Sequence, residues 1–132
     1  MEHEPTPADM ERIGSQIVDG AFKVHRYLGP GLLESVYEEC LACELRKRGL
    51  TVERQLSVPI VYDGVALESP LRLDLLVEGK VLIEDKAVEK MIPLYQAQAL
   101  TYMKLADVRL AFLINFNVEL IKEPPRYLVW VA

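Results

Sequence analysis

Apolar residues that recur every three or four positions mark the first third of the chain as helical. The segment Thr6-Pro7-Ala8-Asp9 predicts a helix start, with Thr6 as the N-cap and Asp9 reaching back toward it. This helix should end at Gly29-Pro30-Gly31. Its buried stripe is predicted to comprise Ile13, Ile17, Ala21, Val24 and Leu28.

A second helix is predicted from about Leu32 to Arg48, with Gly49 as its C-terminal cap. Its predicted buried stripe comprises Leu33, Tyr37, Leu41 and Leu45. The pattern then changes to short β-branched runs, which predict strands at 51–56 and 58–62 and an outer hairpin that turns at Asp63-Gly64.

Two longer apolar runs meet at Glu78-Gly79-Lys80 and predict a central β-hairpin over residues 71–86. Pro93 suits the first turn of a third helix, 93–106. Its inward residues are predicted to be Leu94, Ala97, Leu100, Thr101 and Leu105. Residues 108–116 predict a central strand buried on both faces, and residues 126–131 predict a last strand at an edge.

These elements predict a single α/β domain over residues 1–132, in the order α-α-β-β-β-β-α-β-β, with residues 1–5 as a loose tail. No apolar run is as long as a membrane span, and the first residues lack the pattern of a secretion signal. We therefore expect a cytoplasmic protein without a membrane partner. The net charge of −5 argues against a protein that binds nucleic acid by bulk electrostatics, although a local site remains compatible with it.

The central hairpin carries charges that are costly to bury without partners. Because side chains alternate along a strand, Glu84 and Lys86 should share one face, with Asp74 across from Glu84. This arrangement predicts a site in which the carboxylates bind a hard cation such as Mg²⁺ and the lysine faces the anion that the metal attracts. A solvent-exposed hairpin face with an ordinary cross-strand salt bridge is the alternative.

The order of Asp74 followed by Glu84-x-Lys86 resembles the core of the PD-(D/E)xK nuclease superfamily. The segment 31–37 reads G-x-x-E-x-x-Y, with Glu34 as its acid, and resembles the signature of the GxxExxY family. The similarity extends from about residue 13 to the end of the chain. It implies a restriction-endonuclease-like three-layer core, with a mixed β-sheet flanked by helices, and a grouping with nucleases.

The third helix adds a further resemblance. Gln98 and Tyr102 match the Q-x-x-x-Y element of the RecB- and Cas4-like branch of the superfamily, in which these residues orient the substrate phosphate or the catalytic lysine. The implied enzyme hydrolyses phosphodiester bonds of nucleic acid, with DNA favoured over RNA.

The resemblance also implies a metal site. Asp74 and Glu84 would bind Mg²⁺ or Mn²⁺, the backbone carbonyl of Asp85 would supply a third oxygen, and Glu34 would join from the helix directly or through water. Lys86 would position the attacking water and offset charge on the phosphate.

Three questions stay open at the sequence level. A catalytically silent binding or assembly protein is the competing class, and the acidic net charge favours it. A homodimer, in which pairing doubles the nucleic-acid surface, is a further alternative. The side chain of Asp85 should point away from the site, where we expect it to be solvated or paired with Lys90 or Arg72.

Overall fold

A computed structural model describes residues 6–68 and 70–119, together with the backbone of 126–130. The helices are α1 (Pro7–Leu28), α2 (Glu34–Lys47) and α3 (Pro93–Ala106). The strands are β1 (Val52–Val58), β2 (Val61–Tyr62), β3 (Val65–Ala66), β4 (Leu71–Val77), β5 (Val81–Lys86), β6 (Leu110–Asn115) and β7 (Arg126–Trp130). The predicted tail, residues 1–5, lies outside the described residues.

The main sheet has the strand order β1-β4-β5-β6-β7. The only parallel pair in this sheet is β5 with β6, which α3 connects, and the other pairs are antiparallel. The predicted central hairpin is therefore confirmed as β4–β5. Strands β2 and β3 form a separate ribbon, so five strands precede α3 where the sequence predicted four.

Helices cover both faces of the main sheet, which confirms the predicted three-layer α/β architecture. On one face, which we call the α1/α2 face, buried side chains of α1 and α2 share a core with Leu75, Val77, Val81 and Ile83. On the other, the α3 face, Met103 shares a second core with Leu71, Leu73, Leu76 and Leu82. No helix in the described part of the chain is long and apolar enough to cross a bilayer.

The start of α1 follows the prediction closely. The Thr6 side chain accepts a hydrogen bond from the Asp9 backbone N–H at 3.1 Å, and the Asp9 carboxylate accepts one from the Thr6 N–H at 3.2 Å. This reciprocal capping box satisfies two of the helix's free donors. Ile13, Ile17 and Ala21 are fully buried, as predicted.

Helix α2 begins two residues later than predicted, at Glu34. Leu33 is the N-cap in an extended conformation and is 74% exposed, so its predicted place in the buried stripe is wrong. The reason lies in the preceding loop, where Gly29 and Gly31 adopt positive φ angles of 73° and 96° that carry the chain around before the helix can start. Tyr37 is fully buried, as predicted.

Tyr37 fastens this loop to the core. Its hydroxyl donates to the Gly29 carbonyl at 2.5 Å and accepts from the Leu32 N–H at 3.2 Å, while its ring stacks on Phe116 with centroids 4.7 Å apart. We expect Tyr37→Phe to lower the free energy of unfolding by about 1–3 kcal/mol, because two part-buried hydrogen bonds are lost. Urea unfolding measures this change. Tyr27→Phe is the control, because Tyr27 is 89% exposed. Equal stabilities of the two variants would contradict it.

Helix α3 has the predicted bounds but the opposite orientation. Its buried residues are Ala99 and Met103, whereas Leu94, Leu100 and Leu105 are 67%, 46% and 41% exposed. The prediction of an inward leucine stripe is therefore wrong. Small Ala99 permits close approach to the sheet, and unbranched Met103 fills the irregular space that remains.

Candidate active site

Strand β4 contains one residue more than regular alternation allows, and that residue is Asp74. Leu71 and Leu73 before it pack on a different face from Leu75 and Val77 after it, although regular alternation would place residues with odd numbers on one face. The α3 face takes Leu71 and Leu73, and the α1/α2 face takes Leu75 and Val77. Asp74 therefore lies where the strand changes face.

Strand β1 makes the same change directly opposite. The ladder pairs Arg54 with Leu75 and Leu56 with Leu73, and the position between them, Gln55 against Asp74, is missing from the ladder. Gln55 has a φ of 50°, which is uncommon for a residue with a side chain and costs on the order of 1 kcal/mol or more. Because both strands carry the irregularity, the register of the pairs on either side is unchanged. The Asp74 side chain is then not required to follow the alternation of the strand.

Asp74 and Glu84 lie side by side. The last pair in the β4–β5 ladder is Leu75 with Ile83, so Asp74 and Glu84 are the next residues along. Their carboxyl groups are within hydrogen-bonding reach of each other. Burial and the neighbouring Asp74 charge raise the pKa of Glu84 to about 9, and burial also raises the pKa of Asp74. When no cation is bound, Glu84 therefore keeps its proton at neutral pH.

Asp85 points to the α1/α2 face, as alternation predicts, but its environment is not the predicted one. The side chain is 2% exposed, and neither carboxylate oxygen has a hydrogen-bond partner among the described residues. The expected pairing with Lys90 or Arg72 and the expected solvation are therefore both wrong. Burial, followed by the charge of Asp74, raises the pKa of Asp85 well above its usual value. The Asp85 backbone N–H donates to the Asp74 carboxylate at 2.9 Å.

Glu38 is the acid that sequence reasoning missed. It is 5% exposed, and one carboxylate oxygen each from Glu38, Asp74 and Asp85 lie within 4.8 Å of one another. Its carboxylate accepts hydrogen bonds from Arg54 at 3.0 Å and from Gln55 at 2.7 Å. A signal was present in the sequence, because Glu34 and Glu38 are four residues apart on one helix, where like charges repel unless a cation lies nearby.

Glu34 stands at the first turn of α2, beside the end of β5. Its carboxylate accepts a hydrogen bond from the Ala87 backbone N–H at 3.1 Å, and its charge contributes to the raised pKa of Asp85. Asn115 binds Val88, the residue after Ala87. The Asn115 amide donates to the Val88 carbonyl at 3.0 Å and accepts from the Val88 N–H at 3.1 Å. The chain leaving β5 is thus fixed from two sides.

Lys86 points toward α3. Its ammonium nitrogen lies 4.8 Å from the ring centroid of Tyr95, within range of a cation–π contact. The Lys86 charge lowers the pKa of both Asp74 and Glu84, although burial outweighs this effect. The structure thus brings Asp74, Glu84 and Lys86 into one electrostatic neighbourhood. Tyr95, which supports the ammonium group, was not identified from the sequence.

Gln98 and Tyr102 pair with each other. The Gln98 amide donates to the Tyr102 hydroxyl oxygen at 2.9 Å, as their spacing of four residues on α3 allows. Among the described residues, the Gln98 side chain is hydrogen-bonded to Tyr102 and not to an acid or to Lys86. The hydroxyl proton of Tyr102 remains able to donate to another group.

The donor set fits a hard divalent cation. All candidate ligands are oxygens, from carboxylates and from the Asp85 backbone carbonyl, and oxygen is the ligand atom that Mg²⁺ and Mn²⁺ prefer. One oxygen of Glu84 and both of Asp85 are buried and have no hydrogen-bond partner in the described part of the chain. Buried native polar groups are nearly always satisfied, so these three oxygens indicate that the pocket is completed by a cation or by protons.

The geometry agrees with the comparison to known families. No curated protein and no solved structure matches the chain. A sequence profile described as the PD-(D/E)XK nuclease superfamily matches residues 11–127, which include every acid of the candidate site. The mixed sheet between helices is consistent with the restriction-endonuclease-like fold of that group. The chain therefore belongs to the PD-(D/E)XK nuclease superfamily.

Proposed function

We propose that this protein is a divalent-metal-dependent nuclease that hydrolyses phosphodiester bonds of nucleic acid. The observation that carries the proposal is that Asp74 on β4 and Glu84 on β5 lie side by side, with Lys86 two residues beyond Glu84 on the same face of β5. A solvent-exposed hairpin with an ordinary salt bridge does not account for this arrangement, because Glu84 is 5% exposed and carries an unpartnered oxygen.

Asp74 and Glu84 would hold Mg²⁺ or Mn²⁺, and the backbone carbonyl of Asp85 would add an oxygen. When bound, such an ion lowers the pKa of its water and polarises a phosphoryl oxygen. Glu34 would orient a water at the rim, because its exposed carboxylate is anchored to the Ala87 N–H and so has a fixed position.

Lys86 would offset the negative charge that develops on the phosphate and would position the attacking water. Tyr95 favours this role, because a cation over an aromatic face keeps its charge while it is held in place. Gln98 would act through Tyr102. Its amide donates to the Tyr102 hydroxyl oxygen, so the hydroxyl proton would be free to donate to a phosphate oxygen.

The finer parts of the proposal rest on the sequence resemblance. We place the chain in the GxxExxY family and near the RecB- and Cas4-like branch, with DNA favoured over RNA, in the cytoplasm. A homodimer would enlarge a nucleic-acid surface that the net charge of −5 leaves small. The same charge favours the second candidate function, a binding or assembly protein that keeps the fold without cleaving.

Lys86→Ala tests the activity. The wild type should cleave in Mn²⁺ when offered circular and linear, single- and double-stranded DNA and RNA. The variant should lose about 10²–10³ in rate, the scale seen when a group that stabilises transition-state charge is removed. It should still be stabilised by Mn²⁺, since the carboxylates remain. Lys90→Ala, an exposed lysine four residues on, is the matched control.

Each result has a definite meaning. Unchanged cleavage by Lys86→Ala would refute the assigned role of the lysine. If the wild type binds Mn²⁺ but cleaves none of these substrates, the nuclease proposal is refuted and the binding or assembly protein is favoured.

A further inference from the structure

Asp85 is the most buried acid among the described residues. Both of its carboxylate oxygens lack a hydrogen-bond partner there, and the side chain is only 2% exposed. Glu44, another buried acid, is paired with Lys23 and Arg48. A carboxyl group without a partner in such a place destabilises a fold unless something outside the polypeptide neutralises it.

Two further carboxylates lie close enough to share such a neutralising ion. One oxygen each from Glu38, Asp74 and Asp85 fall within 4.8 Å of one another. Oxygens bound to one Mg²⁺, Mn²⁺ or Ca²⁺ at roughly 2.0–2.6 Å from the ion are separated by at most about 4–5 Å. We propose that Glu38, Asp74 and Asp85 bind a divalent cation of their own, in the layer between the sheet and α2.

This position is separate from the one assigned to the nuclease reaction. Asp85 follows Ile83 on the α1/α2 face, whereas Glu84 follows Leu82 on the α3 face. Asp74 can serve both positions, because it lies where β4 changes face and contacts both Glu84 and the Asp85 N–H. The inference therefore rests on the proposed function, with which it shares the Asp74 carboxylate. Asp85 would offer its side chain to the inner ion and its backbone carbonyl to the nuclease ion.

The role of this cation follows from its enclosure. Glu38 and Asp85 are 5% and 2% exposed, so a nucleic-acid phosphate has no path to an ion between them. Lys86 contacts Tyr95 on the α3 side of the sheet. A cation between Glu38 and Asp85 is thus structural: it neutralises the inner acids and fixes the orientation of Asp74. Arg54 and Gln55 hold Glu38 from the other side.

The test counts bound Mn²⁺ ions on the full chain after treatment with a chelator, by isothermal titration calorimetry and by electron paramagnetic resonance of free Mn²⁺. We expect two ions for the wild type, one for Asp85→Asn, one for Glu84→Gln and none for Asp74→Asn. Asp19→Asn, an exposed acid on α1, should retain two.

A second measurement guards against misfolding of the variants. Without metal, Asp85→Asn should melt at a higher temperature than the wild type, because the amide keeps the shape but cannot ionise and so removes the repulsion from Asp74 and Glu38. If Asp85→Asn fails to fold, Glu38→Gln replaces it in the ion count, with the same expectation of one ion.

The outcomes separate the two proposals. Two ions in both the wild type and Asp85→Asn, or a single wild-type ion, would overturn the inner site. If that single ion is lost in Glu84→Gln and retained in Asp85→Asn, the proposed nuclease function stands. A wild type that binds no Mn²⁺ would overturn the inner site and the proposed metal-dependent function together.

Discussion

Asp74→Asn should abolish both nucleic-acid cleavage and stabilisation by Mn²⁺. Asparagine keeps the size of the side chain and an oxygen for the Asp85 N–H, so the fold should persist. It removes the one charge that Glu84 and Asp85 both face. Loss of a metal ligand withdraws several kcal/mol of transition-state stabilisation, which corresponds to more than about 10³ in rate.

Thermal melting provides the readout that does not depend on activity. At an Mn²⁺ concentration of about 100 times Kd, a bound ion adds about 2.7 kcal/mol, which raises the Tm of a chain this size by roughly 10 °C. We expect this rise in the wild type and in the exposed control Asp19→Asn. Its persistence in Asp74→Asn would remove Asp74 from the metal site.

The metal-free protein should become less stable between pH 5 and pH 8, unlike most proteins. The pKa of Glu84 is 4.5 in the unfolded chain and rises to about 9 in the folded protein. The folded state therefore binds more protons within this window, and stability falls as pH rises. The stabilising contribution is complete below pH 4.5 and lost as pH passes through about 9. Over three pH units the loss is about 3–4 kcal/mol.

Urea unfolding in EDTA at several pH values measures this slope. Asp85 and Asp74 act in the same direction, because burial raises the pKa of each. Glu84→Gln should therefore give a shallower slope, and an exposed control such as Glu53→Gln an unchanged one. Excess Mn²⁺ should reverse the slope in the wild type, because the ion binds the deprotonated acids. A metal-free wild type that gains stability between pH 5 and pH 8 would contradict the buried-acid account.

Local chemistry made part of the site predictable. Gly79 and its polar neighbours fix the turn of the central hairpin, and a two-strand register then places Asp74 opposite Glu84. The same alternation sends Asp85 to the opposite face. These results depend only on residues close in sequence, which is why the pattern was sufficient.

Other features depend on contacts between distant segments. Glu38 reaches Asp74 only because α2 packs over the sheet where β1 supplies Arg54 and Gln55. The face that α3 buries was not predictable from its sequence, since apolar residues surround the whole helix and its periodicity selects no side. Within the described part of the chain, packing brings the acids Asp74 and Glu38 to Asp85 and no hydrogen-bond donor, which no local pattern reveals.

The matched irregularity at Gln55 and Asp74 places an acid in the sheet without changing how the hydrophobic layers pack. If both residues were deleted together, β1 and β4 would alternate without interruption, and every remaining apolar side chain would stay in its present layer. Loss of only one would shift the two strands against each other by a residue. Joint removal of these two residues would therefore take away Asp74 while the hydrophobic interior stayed intact.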